Sequence, residues 1–403
     1  MADAPLGDYA RIWGSLHGQP DAALSAGCQD AYHANCRSEP VVPKRRSLSA
    51  GDLPGAEPPA RRMAGPRPLT LALDGASFHL HPFNFLMDSS QFKQIVYPLI
   101  DGALGAYGYW RLHNRNLKDT VFMSGTGRSG STWLAEMLTV LPGYHILYEP
   151  FHLGSNQVCR QHGFTWNNYI RPGADAPEKK AYVKRILNGR ELSTRTLNRH
   201  VIRPLKLLRV QGFVVKSINA NMMLAWLSEV FPVKTILLLR HPCAVVASQL
   251  KAGGWSWRAR KDAIYLPDQL MDDHPHLQKI YDGLSSSEEN LAFNWAIQNF
   301  IPLRQRGSWL TTTYEKLVRD EDKELERIFS YLDQPIPQES LDRFGQESTS
   351  RSSFHIDEKS LLTGWRNHLS ASQVRSILDV THRVGVTCYT DEVHPNYDML
   401  LND

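Results

Sequence analysis

The chain has 403 residues, 45 Lys and Arg against 41 Asp and Glu, a formal net charge of +4 and 42% hydrophobic residues. This composition supplies a sizeable apolar core and excludes collagen-like, disulfide-framework and wholly disordered proteins. The mild basic excess is too small to predict nucleic-acid binding, but it suits a site that holds a polyanionic small molecule.

Residues 1–68 are rich in Ala, Pro, Gly, Ser and Arg and poor in large apolar residues, so they are predicted to be a disordered region or linker. The Lys44, Arg45, Arg46 and Arg61, Arg62 clusters within them read as solvated charge. Asp3, Asp8, Arg11 and Asp21 fall where a signal peptide needs an apolar stretch, and no apolar run approaches the ~20 residues of a membrane span. A soluble, cytoplasmic protein with no integral membrane segment is therefore expected. Cys28, Cys36, Cys159, Cys243 and Cys388 are scattered, which points to a reducing compartment. They lack metal-ligand spacing, and His79-x-His81 and His274-x-His276 have no evident third ligand, so no metal site is expected. Oligomeric state has no signature in the sequence.

Residues 69–117 are expected to form an N-terminal extension packing on a catalytic domain that spans 118–403. From Thr120 the chain alternates short β-branched or apolar runs with helical patterns. Strands are predicted at 120–124, 213–217, 234–240 and 308–314. Helices are predicted at 132–141, 220–231, from Pro242, and near 288–305. That alternation predicts an α/β fold with a central parallel sheet covered by helices.

Between the first of these strands and its helix lies Gly125-Thr126-Gly127-Arg128-Ser129-Gly130-Ser131-Thr132. Glycines there let successive backbone N–H groups converge on an anion at a helix N-terminus, which makes a phosphate cradle. Together with the alternating strands and helices it leads to the expectation of a P-loop NTPase-like three-layer sandwich. The spacing is G-x-x-x-x-G, but Ser131 stands where a nucleoside triphosphatase has lysine, and the basic residue is Arg128 inside the loop. The strand KTILLLR ends in Arg240-His241, where a magnesium-dependent ATPase would carry aspartate. Both departures argue against the rival reading, a P-loop kinase or nucleoside triphosphatase.

The run FMSGTGRSGSTWLAEML resembles the 5′-phosphosulfate loop of sulfotransferases that use 3′-phosphoadenosine 5′-phosphosulfate (PAPS). The segment VKTILLLRHPCAVVASQL is similar to their 3′-phosphate segment, with Arg240 and Ser248 in register. Tyr314-Glu315-Lys316-Leu317 is similar to the family's Tyr-Glu-Asp-Leu segment. The run Lys359 to Asn367 looks like its late cofactor segment, matching at Lys359, Trp365, Arg366 and Asn367 but departing at Glu358 and Ser360. Arginine at position 128, and the context Tyr148-Glu149-Pro150, look most like carbohydrate 6-O-sulfotransferases, with features of tyrosylprotein sulfotransferases.

The resemblance implies that Gly127, Arg128, Ser129, Gly130, Ser131, Thr132, Trp133, Arg240, Ser248, Tyr314, Lys359 and Arg366 bind PAPS, without a metal. It implies transfer to a hydroxyl acceptor, expected to be a carbohydrate; small-molecule, lipid and tyrosyl acceptors are the alternatives. Glu149, 21 residues after Arg128, ends a further expected strand in HILYEPFH, which follows the first helix, and is the expected general base. Lys216 and Arg128 are expected to stabilise the departing oxygen. His145, His152, His162 and His241 are competing bases, with His152 next in line after Glu149. Trp255 and Trp257, beside Arg258, Arg260 and Lys261, suit a sugar or acidic acceptor.

Overall fold

The computed structural model describes residues 70–73, 76–79, 89–112, 114–154, 156, 158–197, 207, 209–252, 257–305, 307–338, 340 and 358–400. Strands β1 (Thr70–Leu73) and β2 (Ala76–His79) form an antiparallel pair, followed by the helix Ser89–Leu112. The main sheet is built from β3 (Thr120–Gly125), β4 (Tyr144–Tyr148), β5 (Gly212–Ser217), β6 (Lys234–Leu239) and β7 (Trp309–Thr313). Its order is β4-β5-β3-β6-β7, and every pairing is parallel.

The sheet is the middle layer of three because its strands are apolar on both faces, as parallel strands covered by crossover helices must be. Side chains alternate with a period of two. Phe122, Phe213, Val215, Leu237 and Leu239 enter one core with Trp226, Phe293 and Ile297. Val121, Met123, Val214, Ile236 and Leu238 enter the other, with Leu134 and Leu138 of the helix Ser131–Leu138 and Ile328 and Phe329 of the helix Glu321–Tyr331. At about 1.5–3 kcal/mol per fully buried large apolar side chain, the two cores supply the main driving force of the fold.

The elements follow the expected order with shifted ends. The first helix of the main sheet stops at Leu138. The predicted helix at 220–231 is a 3₁₀ turn, Asn221–Met223, followed by the α-helix Leu224–Val230. Tyr314 is the first residue of a helix, because Thr313 caps it by accepting from the Lys316 N–H at 3.0 Å.

Candidate active site

In a parallel sheet all the strands finish at the same edge, so register decides which side chains meet there. Tyr148 of β4 is opposite Lys216 of β5, Gly125 of β3 is opposite Leu238 of β6, and Leu239 is opposite Thr313 of β7. The residues that follow these pairs are therefore neighbours: Glu149 beside Lys216, the glycine-rich loop beside Arg240, and Arg240 beside Tyr314.

The loop from Thr126 to Gly130 turns tightly enough that the Ser129 N–H donates to the Thr126 carbonyl at 3.1 Å. Arg128 takes φ +76° and Gly130 φ +91°. A Cβ on Gly130 would come within 2.6 Å of the Tyr314 ring, so only glycine lets the ring pack there. Gln249 Nε2 donates to the Gly127 carbonyl at 2.9 Å, fixing the loop from the helix Pro242–Lys251. Ser131, Thr132 and Trp133 open the helix Ser131–Leu138, and the Trp133 ring lies 5.6 Å from Tyr314.

Arg240 donates through Nη1 to the Arg128 carbonyl at 3.1 Å and through Nη2 to the Leu361 carbonyl at 3.3 Å. Its guanidinium lies 4.1 Å above the Tyr314 ring. Arg128 Nε donates to Ser248 Oγ at 3.0 Å, so the basic residue of one expected grip touches the hydroxyl of the other. Among the described residues, Arg240 Nε, Thr126 Oγ1 and Ser129 Oγ are buried with no hydrogen-bond partner. Unsatisfied polar atoms of this kind cost about 1–3 kcal/mol each unless a ligand meets them.

Glu149 directly follows β4 with φ +45°, a left-handed conformation that is strained for a residue with a side chain. Its N–H donates to the Lys216 carbonyl at 2.8 Å. Oε1 accepts from Lys216 Nζ, and Oε2 accepts from the Ile218 N–H at 2.9 Å. Lys216 is buried. His152 feels this cluster: burial lowers its pKa below the usual histidine value, with the Glu149 charge opposing, so it is neutral near pH 7. Arg258 is pulled down to about 10 by burial, again opposed by Glu149, and stays cationic.

Several predicted residues lie apart from this cluster. His162 stacks on Tyr182 and meets Arg185, while His241 stacks on Trp365 at 4.8 Å. His241 Nδ1 accepts from the Cys243 N–H and Nε2 faces the Thr390 carbonyl, which fixes a neutral ring, and burial takes its pKa down to about 4. Arg366 is exposed; it lies on Trp365 and donates to the Asp391 carbonyl at 2.6 Å. Lys359 lies in the helix Glu358–Thr363, whose Leu361 carbonyl takes Arg240, and its side chain lies outside the described residues, as does Trp255.

Two contributors escape sequence reasoning. Gln249 carries no motif. Glu315 sits in the noted Tyr-Glu pair, yet its role comes from its partner: Oε1 accepts from the His241 N–H at 2.8 Å, pinning the backbone next to Arg240. Burial raises the Glu315 carboxyl to about 7, against the pull of that N–H and of Arg240.

A model of the sulfotransferase family matches residues 120–338, more than half of the chain, and the chain belongs to that family. Among solved structures it is similar to mouse sulfotransferase SULT7A1 complexed with PAP, at 13% identity, TM-score 0.33, over 79% of this chain and 94% of that one. It is also similar to the sulfotransferase domain from the curacin biosynthetic pathway, at 18% identity, TM-score 0.35, over 64% and 95%. Retinol dehydratase in a complex with retinol and PAP matches at 15% identity, TM-score 0.33, over 71% and 87%. No curated protein matches the sequence significantly. Among the described residues no helix is long and apolar enough to cross a membrane.

Proposed function

We propose that the protein transfers a sulfuryl group from PAPS to an acceptor hydroxyl on a carbohydrate or glycosylated molecule, with residues 118–403 as the catalytic domain. The observation that carries this reading is the Arg240 guanidinium, which bridges from the end of β6 to the Arg128 carbonyl in the loop after the adjacent β3 and whose Nε has no partner among the described residues. This contact supports a reading of two adjacent anion grips, which a nucleotide phosphorylated at both 3′ and 5′ ends requires. The buried free thiols Cys159, Cys243 and Cys388 accord with a reducing, cytoplasmic setting.

The fit to PAPS rests on the orphaned atoms. Ser129 Oγ, Thr126 Oγ1 and the loop N–H groups, with Arg128, would hold the 5′-phosphosulfate; Arg240 and Ser248 would hold the 3′-phosphate; Tyr314 and Trp133 would flank the nucleotide. When bound, PAPS supplies an activated sulfuryl group. Glu149 takes the acceptor proton: a carboxylate offers about four lone-pair positions, and Lys216 and the Ile218 N–H occupy two of them. Those two partners fix its orientation, which is what general-base catalysis needs. Lys216 and Arg128 place positive charge where negative charge grows on the departing oxygen.

Titration with adenosine 3′,5′-bisphosphate, together with turnover of labelled PAPS over sugars, lipids, phenols and peptides, tests the assignment. Arg240→Ala should weaken the bisphosphate about 10–100-fold, the worth of one or two charge-assisted hydrogen bonds. Glu149→Gln should bind it normally and lose about 10²–10⁴ in kcat. Unchanged affinity in the first variant, or magnesium-dependent ATP turnover indifferent to the bisphosphate, overturns the reading. Tight binding with no transfer to any acceptor would make the protein a nucleotide-binding module.

A further inference from the structure

Beside Glu149 and Lys216 stands a group of side chains that sulfuryl transfer itself does not use. The Trp166 and Trp257 rings lie 5.3 Å apart between centroids, tilted by 55°. His152 meets Trp166 edge-on at 4.9 Å. The Arg258 guanidinium lies over both indoles, 5.4 Å from Trp166 and 5.0 Å from Trp257. Both indoles are half-buried and Arg258 is 8% exposed, and Arg258 and His152 are each within electrostatic reach of Glu149.

The group is held from behind. Asn167, next to Trp166, donates through Nδ2 to the Tyr265 carbonyl at 2.7 Å and accepts from Gln298 Nε2 at 3.0 Å. Asn290 Nδ2 donates to the Ala259 carbonyl, one residue past Arg258, at 2.9 Å. Gln298 and Asn290 belong to the long helix Ser287–Arg304, so one rigid element fixes both sides of the aromatic pair. A guanidinium carries its N–H donors along its edge in a fork that matches a carboxylate, sulfate or phosphate, and Arg258 brings that positive charge beside both indoles. Indole faces suit the C–H face of a ring.

Resting on the transfer reading above, we propose that Trp166, Trp257 and Arg258 form the acceptor subsite and that the acceptor is an anionic ring compound. Its ring lies against the indoles, its anionic group meets Arg258, and its reacting hydroxyl is thereby presented to Glu149. The subsite selects by charge, independently of the nucleotide grips.

The test is calorimetric binding of three probes to the chain saturated with adenosine 3′,5′-bisphosphate: p-nitrophenyl β-D-glucuronide, the 6-sulfate of p-nitrophenyl β-D-glucoside, and the neutral glucoside. At least one anionic probe should bind about ten-fold or more tighter than the neutral one, the scale of one charge-assisted hydrogen bond; whichever does identifies the anion. Arg258→Gln should bring the ratio towards one while keeping bisphosphate affinity, and Trp257→Ala should weaken all three probes several-fold. A neutral glucoside that binds as tightly as both anions, no binding of any probe, or a ratio that survives Arg258→Gln overturns the proposal. Should Arg258→Gln fail to fold, shown by lost bisphosphate binding, the unmodified chain still decides through its ratio. Absence of bisphosphate binding by the unmodified chain would instead be a failure of the transfer reading.

Discussion

Two of the residues in the site, Arg128 and Glu149, hold left-handed backbone conformations that cost about 1–3 kcal/mol apiece, and each follows or interrupts a strand end where the chain must turn sharply. The strain aims their side chains into a common edge. A third residue, Glu315, acts through burial. Its carboxyl is raised to about 7 in the fold from an ordinary value near 4.5, with Arg240, His241 and Tyr389 around it. Between those two values the folded chain binds the proton more tightly than the unfolded chain does, so stability falls as pH rises from about 4.5 to 7. The full loss, on the order of 3 kcal/mol, is present above 7. His241 works in the opposite sense: its folded value near 4 lies below 6.5, so its contribution is lost as pH falls from about 6.5 to 4. The two slopes oppose each other, so the raw curve is uninformative and the difference between variants is what isolates the carboxyl. Glu315→Gln keeps an acceptor for the His241 N–H and cannot ionise. Urea unfolding at pH 5 and pH 7.5 should show the variant gaining on the parent by a few kcal/mol at the higher pH; parallel curves would mean that Glu315 keeps an ordinary carboxylate pKa.

At the scale of elements, the two proposed grips belong to β3 with its loop and to β6 with its helix, and the contact of Arg128 Nε with Ser248 Oγ joins those segments. If the contact couples the grips, Ser248→Ala and Arg128→Ala should weaken adenosine 3′,5′-bisphosphate non-additively in a double-mutant cycle. The expected coupling is about 0.5–3 kcal/mol by calorimetry, whereas additivity within about 0.5 kcal/mol would show two independent grips. This joint explains what the sequence disclosed and what it withheld. Strands with apolar residues at successive positions, such as Thr120–Gly125 and Lys234–Leu239, announce a parallel sheet, and a glycine-rich turn before a helix announces a cradle. Hence the layered α/β architecture, and the positions of Glu149, Arg128 and Arg240 at strand ends, were legible. Contacts fixed by strand register over a long sequence separation were not: the Glu149 carboxylate bound to Lys216, 67 residues further on, depends on β4 lying beside β5, a pairing that no local pattern encodes. Nor was the place of Arg366, because its exposed partner, the Asp391 carbonyl, is 25 residues away in an irregular segment.

For the whole molecule, the site is a meeting point of distant parts of the chain. The loop at 126–130 follows the central strand β3, Arg240 follows the neighbouring β6, and the Leu361 carbonyl comes from the helix Glu358–Thr363. A ligand seated on Arg240 and the loop would make the order of each segment depend on the others, and anything that binds the folded chain but not the unfolded one stabilises it by mass action. Adenosine 3′,5′-bisphosphate at about 100 times its Kd should therefore add roughly 2.7 kcal/mol, read as a rise of about 5 °C in Tm. ATP, which presents no 3′-phosphate to Arg240 and Ser248, should shift Tm by less at the same concentration. Hydrogen exchange should localise the effect: slowed exchange at residues 126–134 and 240–248 follows from direct contact, while slowed exchange at 358–367 follows from the bond between Arg240 and Leu361. Equal shifts with ATP and the bisphosphate would mean that Arg240 reads no 3′-phosphate. Protection confined to 126–134 would mean that the C-terminal helix is not tied to the nucleotide through Arg240.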